Sequence, residues 1–427
     1  MSTVATSFAQ RPGTIFAPRH EVLSFFLGLT IAAASPPEET ANFLRLPFLG
    51  SYLLTYFDLT VAIATLSFLW TADFGLNKAE KSVCKALGLI ILTRIASLLF
   101  ASNVVPQQAI SVFRYVETLV ILVVLANFLA LEMNRRSFLV GIILGAVLES
   151  AGGLFTFIVS SGENRGIWLG SDNFKIQVFL LLVCCIVLMH KKRSLLLFIS
   201  VFGLALAIIA TETRRAIFLF LIALAVALWE RRGKLVKPML ASVIASLILI
   251  TVFMAAAPSV ADSYITRVDE LWMGGGTIGY RLILWEMAAA AFFNHPILGI
   301  GSGGFARQQN VLYFEIADAF ESEYEQAYGS LSTHNTVLGV AAETGSLGLI
   351  AYSIWVITVA KIVLRAFELA SSTSATYVIA TCACLFAFLL EDWWGQASFM
   401  PPATCLLGFV LGWYRSQRQA HMPEPAL

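Results

Sequence analysis

The chain is a succession of apolar runs, most of them close to the length a helix needs to cross a bilayer, divided by short polar segments that hold many of its basic residues. Roughly 20 apolar residues at about 1.5 Å rise each span the hydrocarbon core. Candidate spans fall near 16–35, 50–70, 84–102, 109–131, 137–160, 175–189, 194–210, 215–229, 238–257, 346–364, 375–390 and 400–414. Within lipid each segment must satisfy its own backbone hydrogen bonds, so runs of this kind form helices. With 58% hydrophobic and 13% charged residues, the chain also has too little polar surface to coat a water-soluble globule. The expected fold class is all-α, a polytopic membrane protein of about twelve transmembrane helices with one large loop.

Net charge is +1, so the overall balance does not point to nucleic acid, and the basic residues matter through their placement. With the N-terminus inside, the inner loops hold Lys78, Lys81, Lys85, Arg135, Arg136, Lys191, Lys192, Arg193, Arg231, Arg232, Lys234 and Lys237. Arg11, Arg19, Lys361, Arg365, Arg415 and Arg418 continue the pattern, which puts both termini in the cytoplasm. The exceptions are Arg45, Arg94, Arg114, Arg165, Lys175, Arg214, Arg215, Arg267, Arg281 and Arg307, which fall in spans or on the outer side. A charge there costs free energy and commonly marks a substrate path, although Arg45 or Lys175 could equally snorkel to a headgroup. The six cysteines lie inside apolar runs and read as small core residues.

The pattern divides the chain into N-terminal spans (1–257), a large outer loop (258–345) and C-terminal spans (346–427). Inside the loop, Tyr280 to Phe293 has helical composition and places Arg281 and Trp285 one turn apart on one face. Gly299, Gly301 and Gly304 satisfy G-x-G-x-x-G in letters, but no strand precedes them, and a dinucleotide site needs a βαβ unit. A plain tight turn is the simpler reading, with backbone N–H groups facing a phosphate as the alternative. At the end of the loop His334, beside Asn335, opens a helix at the membrane boundary. An imidazole, whose ordinary pKa is about 6.5, can accept a proton there. The other histidines, His20, His190, His295 and His421, cannot meet it around a metal in this topology, and no D-x-D pair occurs. Metal-dependent chemistry is therefore not expected, and no cofactor is implied. Arg214 and Arg215, adjacent at the outer mouth of a span, want an anion: a diphosphate, or failing that Glu212 or a lipid headgroup.

The order of these features resembles the O-antigen ligase and polymerase superfamily of bacterial envelope glycosyltransferases. Thr213-Arg214-Arg215-Ala216 is followed by Arg281 with Trp285, by Pro296 and the Gly-x-Gly turn, and by His334-Asn335 with Glu343, Gly345 and Gly348. The last block, HNTVLGVAAETGSLG, carries most of the likeness. Arg165, ahead of Gly170 and Asn173, stands where the family often has an arginine and an asparagine. The resemblance implies a C-type glycosyltransferase architecture in the bacterial inner membrane, with a periplasmic active site and no metal or cofactor. The donor would be an undecaprenyl-diphosphate-linked glycan, and the acceptor a lipid A core, a glycan or another hydroxyl. On matching positions, Arg214 and Arg281 would hold the donor diphosphate and stabilise the leaving group, with Arg215 and Arg165 as further diphosphate contacts. His334 would activate or orient the acceptor hydroxyl, and Asn335, Glu343, Gly345, Trp285, Gly299 and Gly301 would support it. Arg215 occupies a position where the family has a small residue, so either arginine of the pair could serve. A transporter or flippase of lipid-linked glycan would also want arginines in a membrane cavity, but such proteins often show repeated halves and short loops. Transfer to protein is a further alternative.

Overall fold

The computed structural model describes residues 17–30, 44–45, 53–54, 56–71, 75–101, 106–159, 277–306, 333–369 and 400–421. The expected spans near 175–189, 194–210, 215–229, 238–257 and 375–390 lie outside the described residues. The described elements are α1 (Ala17–Thr30), β1 (Leu44–Arg45), β2 (Leu53–Leu54), α2 (Tyr56–Thr71), α3 (Lys78–Leu99), α4 (Pro106–Phe128), α5 (Glu132–Val159), α6 (Thr277–Asn294), α7 (Thr336–Leu369) and α8 (Met400–His421). They are helical except for a minimal antiparallel ladder in which Leu44 faces Leu54 and Arg45 faces Leu53. The described residues are consistent with the all-α expectation, the ladder being a minimal pairing between α1 and α2.

Helix limits differ from the apolar runs where capping takes over. α3 starts among lysines, ahead of the apolar run near 84, because Asn77 and Glu80 form a capping box. The Glu80 N–H donates to Asn77 Oδ1 at 2.9 Å, and the Asn77 N–H donates to Glu80 Oε2 at 2.7 Å. α7 likewise starts ahead of the run near 346 and is interrupted at Gly345, where φ is 64° and ψ is −158°. α3 and α7 as far as Ala366 are long and apolar enough to cross a membrane. Leu92, Ile95 and Leu99 on α3 and Ile350, Ile357 and Leu364 on α7 are exposed, a distribution suited to lipid rather than water.

Close helix pairs are built on small residues. α5 carries Gly141 and Gly145 one turn apart, and α1 carries Gly28 opposite them. A Cβ on Gly141 would lie 2.0 Å from the Phe25 carbonyl oxygen, and one on Gly28 would lie 2.2 Å from that of Phe138. α8 repeats the device with Gly408 against Leu125 of α4 and Gly412 against Leu129, the residue that follows α4. In lipid, where apolar burial does not by itself favour one helix over its solvent, such close backbone approach supplies the packing energy.

Polar contacts gather at opposite ends of this bundle. At one end Arg415 of α8 donates to Asn127 Oδ1 at 2.9 Å and lies 3.6 Å from Glu80 Oε2. Arg135 of α5 donates to the Leu129 and Ala130 carbonyls at 2.8 and 2.7 Å and to Ser416 Oγ at 3.1 Å. The start of α3, the end of α4, the start of α5 and the end of α8 therefore meet. At the other end the last turns of α3 meet the start of α7, where the candidate site lies.

Candidate functional site

α6 presents Ile283, Leu284, Met287, Ala288 and Ala291 at helical spacing, and these pack with Ile300, Phe305 and Ala342 into one buried cluster. The middle of the loop is thereby fixed on the first turns of α7. Half-buried Arg281 and Trp285 lie beside that apolar stripe. Burial lowers the Arg281 guanidinium from its ordinary pKa, though an arginine stays charged at any physiological pH. Trp285 Nε1 donates to the Thr333 carbonyl at 3.1 Å, so the helix that carries Arg281 also grips the residue preceding His334.

His334 has φ 47° and is the non-glycine residue with positive φ among the described residues. For a residue with a Cβ this conformation costs about 1–2 kcal/mol. Its neighbours hold it there. Thr333 and Thr336 are buried, and the Thr333 hydroxyl donates to the Asn335 carbonyl at 2.8 Å. Asn335 Oδ1 accepts from the Val337 and Leu338 amides at 3.0 and 3.2 Å, which makes Asn335 the N-cap of α7. The half-buried His334 side chain therefore projects from a clamped turn.

Between α6 and the kink in α7 runs a backbone strap. The amides of Ile300 and Gly301 donate to the carbonyls of Ala342 and Glu343 at 2.9 and 3.1 Å. In the other direction, the amides of Ser346 and Leu347 donate to the carbonyls of Pro296 and Ile297 at 2.8 and 3.3 Å. Residues 296–301 thus satisfy the groups that the break at Gly345 removes from the helix ladder. Gly299 and Gly345 make this approach possible: a Cβ on Gly299 would stand 2.3 Å from the Glu343 carbonyl carbon, and one on Gly345 2.4 Å from that of Ile297. The glycine run serves contact between two backbones. Its amides at 299, 300, 301 and 304 all donate to carbonyls of this chain, which removes the reading in which they face a phosphate.

Glu343 pairs with α3. Its Oε2 lies 3.1 Å from Arg94 Nη1, and the same nitrogen reaches Ser302 Oγ at 2.7 Å. Arg94 is 1% exposed and sits over the Tyr115 ring, 4.1 Å from its centroid. Ser97 Oγ donates to the Glu343 carbonyl at 2.5 Å, so α3 grips this residue by backbone and side chain together. Arg94 lies roughly 24 Å along α3 from Lys78, well inside the apolar run, where a lone charge would be costly.

The structure thus brings together Arg281, Trp285, Gly299, Gly301, His334, Asn335, Glu343 and Gly345. Arg165, Arg214 and Arg215 lie outside the described residues. Sequence reasoning set Arg94 aside as an anomalous cation without finding its partner. The usable signal was one arginine late in an early span and one glutamate at the matching edge of a later one, each expensive alone.

These features define the class: a helical membrane protein whose polar machinery is assembled at one end of the bundle from a loop helix, a strap and a kinked span. Residues 198–353 match the family described as O-antigen ligase. Over that segment the chain is similar to the O-antigen ligase family, which supports a function of the ligase or polymerase kind in general terms. The matched segment contains α6, the strap and the kink of α7, whereas α3 with Arg94 lies before it. Comparison with the curated proteins finds no match.

Proposed function

We propose that the chain is a metal-independent glycosyltransferase of the bacterial inner membrane. It moves an undecaprenyl-diphosphate-linked glycan onto an acceptor hydroxyl at the periplasmic face. The observation that carries this reading is His334, held in a strained turn at the start of α7 and tied through Thr333 and Trp285 to the helix bearing Arg281. Strained residues held by their surroundings cluster at functional sites, which supports a chemical role for His334.

In the proposed step the acceptor oxygen bonds to the anomeric carbon while its proton passes to His334. The bond from that carbon to the diphosphate oxygen breaks, and its electron pair leaves with undecaprenyl diphosphate. Arg281, together with Arg214 or Arg215 and with Arg165, neutralises the charge that develops on the leaving group. A glycosyl diphosphate already has a good leaving group, so orientation and charge neutralisation supply most of the acceleration required. Asn335 acts through the cap of α7, Trp285 through Thr333, and Gly299, Gly301 and Gly345 through the strap.

The same reading keeps the division into 1–257, 258–345 and 346–427, about twelve spans, and both termini in the cytoplasm. The separation of the two polar ends of the bundle supports it: Arg135, Arg136 and Arg415, expected inside, sit at one end, and Glu343 of the expected outer loop, paired with Arg94 of an expected span, at the other. The acceptor is a lipid A core in a ligase and a second lipid-linked glycan in a polymerase.

The test is incubation of the purified, detergent-solubilised protein with an undecaprenyl-diphosphate oligosaccharide in EDTA, with and without lipid A core. Products are read by gel and mass spectrometry. Glycan on the core marks a ligase, and a ladder without it a polymerase. Glycan that stays on its carrier with every acceptor overturns the proposal and turns attention to flipping in liposomes.

A further inference from the structure

Arg94 lies outside the segment matched to the ligase family, yet it supplies the countercharge and a hydrogen bond to residues inside that segment. We propose that Arg94 is a positioning residue for glycan transfer, which through Glu343 and Ser302 fixes the strap that holds α6, with Arg281, against the start of α7, with His334. The inference rests on the roles proposed above for Arg281 and His334.

Three observations carry it. First, Nη1 of Arg94 touches both partners, and they belong to two sides of one joint: Ser302 to the strap after Pro296, Glu343 to the turn of α7 before the kink. Secondly, the joint is sewn by backbone bonds on both sides of these contacts, so a shift of Glu343 relative to Ser302 must break the register of residues 300–301 against 342–343. Thirdly, Ser97, one turn along α3 from Arg94, holds the Glu343 carbonyl, so a rigid transmembrane helix locates the joint from outside the loop.

Stability alone does not account for such a pair. Replacing a buried ion pair with packed apolar side chains is commonly neutral or stabilising, because both charges were desolvated to form it. What apolar substitutes cannot reproduce is a directional contact that joins a strap to a helix. Displacement of about 1 Å at a reacting centre costs on the order of 100-fold in rate, so a joint of this kind bears on kcat more than on donor affinity.

The test uses the full-length protein in detergent, comparing the parent with the double variant Arg94→Met/Glu343→Met. A second readout is the distance between spin labels at Phe293 on α6 and Val337 on α7, both exposed, placed through cysteine substitutions. The double variant is expected to accumulate and to unfold near the parent temperature. Its kcat should fall about 100-fold with donor KM changed less than about twofold, and the label distances should broaden. Arg94→Lys keeps the charge on a more flexible stem and should recover part of the rate and narrow the distribution. Unchanged kcat in the double variant overturns the proposal, and so does a fallen kcat with parent-like distances. Should the double variant fail to accumulate, Arg94→Lys decides alone, and parent-like kcat and distances there count against positioning. A parent that transfers no glycan defeats the proposed function, while the distance measurement still decides whether Arg94 sets the joint.

Discussion

At His334 geometry and chemistry pull in different directions. A left-handed backbone is strained for any residue with a Cβ, and glycine would relieve it at no steric cost. His334→Gly is therefore expected to stabilise the protein by about 1 kcal/mol while abolishing glycan transfer. His334→Ala keeps the strain and should also lose activity, on the order of 100- to 10,000-fold. Thermal unfolding in detergent beside a transfer assay separates the two effects, and a His334→Gly variant that is less stable than the parent would show the imidazole to be a structural anchor. Gly345 is the opposite case. Its φ and ψ fall in a region that glycine alone occupies readily, and a Cβ would meet the Ile297 backbone at 2.4 Å. Gly345→Ala should destabilise by at least about 2 kcal/mol and disturb the strap, read as a lower unfolding midpoint; an unchanged midpoint removes the strap from this account. Both residues stood out in the sequence, His334 by its place at a helix start and Gly345 by its place in a motif. What each one touches did not. Glu343 finds Arg94 across 249 residues, a distance over which helical periodicity carries no information, and only tertiary packing decides that pairing.

Among the described elements, hydropathy located helices better than it located their ends. The runs near 109–131 and 137–160 correspond to α4 and α5, because those segments are apolar along most of their length. α3 and α7 began earlier than their apolar runs, because Asn77 with Glu80 in one case and Asn335 in the other cap helices that start in polar sequence. The composition of the loop correctly suggested α6, but the strap between α6 and α7 was not legible. Its bonds join two backbones, and backbone groups leave no mark in the sequence beyond the glycines that let them approach. The contacts between α1 and α5 and between α4 and α8 had a signal that hydropathy does not register, the pairs Gly141 with Gly145 and Gly408 with Gly412. Gly141→Leu, which must place a side chain where the Phe25 carbonyl lies, should destabilise by about 3 kcal/mol. Gly88 on α3 offers the control, since nothing lies within 4 Å of the Cβ it would gain. Gly88→Ala should leave the unfolding midpoint level or raise it by the equivalent of up to about 1 kcal/mol. Equal losses in the two variants would mean that helix propensity, and not close packing, governs these positions.

At the scale of the whole molecule, the described residues form two polar ends joined by apolar helices. One end is closed on itself: Arg135 covers the Leu129 and Ala130 carbonyls just past the end of α4, and Arg415 lies between Asn127 and Glu80. The other end gathers the kinked span, the strap and the loop helix, with exposed Phe293 at the end of α6. If transfer takes place at the periplasmic face, Phe293 and Arg136 must lie on opposite sides of the membrane, because Arg136 belongs to the start of α5 beside Arg135. A membrane-impermeant maleimide added to intact spheroplasts should therefore label Phe293→Cys and spare Arg136→Cys, while both react after permeabilisation. The native cysteines lie in apolar runs, and the parent protein measures their background. Labelling of both introduced cysteines in intact spheroplasts would put the two polar ends on one face and remove the bundle as a barrier between them. Labelling of Arg136→Cys alone would invert the chain and place His334 in the cytoplasm, where a donor already carried across the membrane is out of reach. The basic residues make the first outcome the expected one, since each lysine or arginine left on the inner side during insertion lowers the cost of this orientation relative to its mirror image.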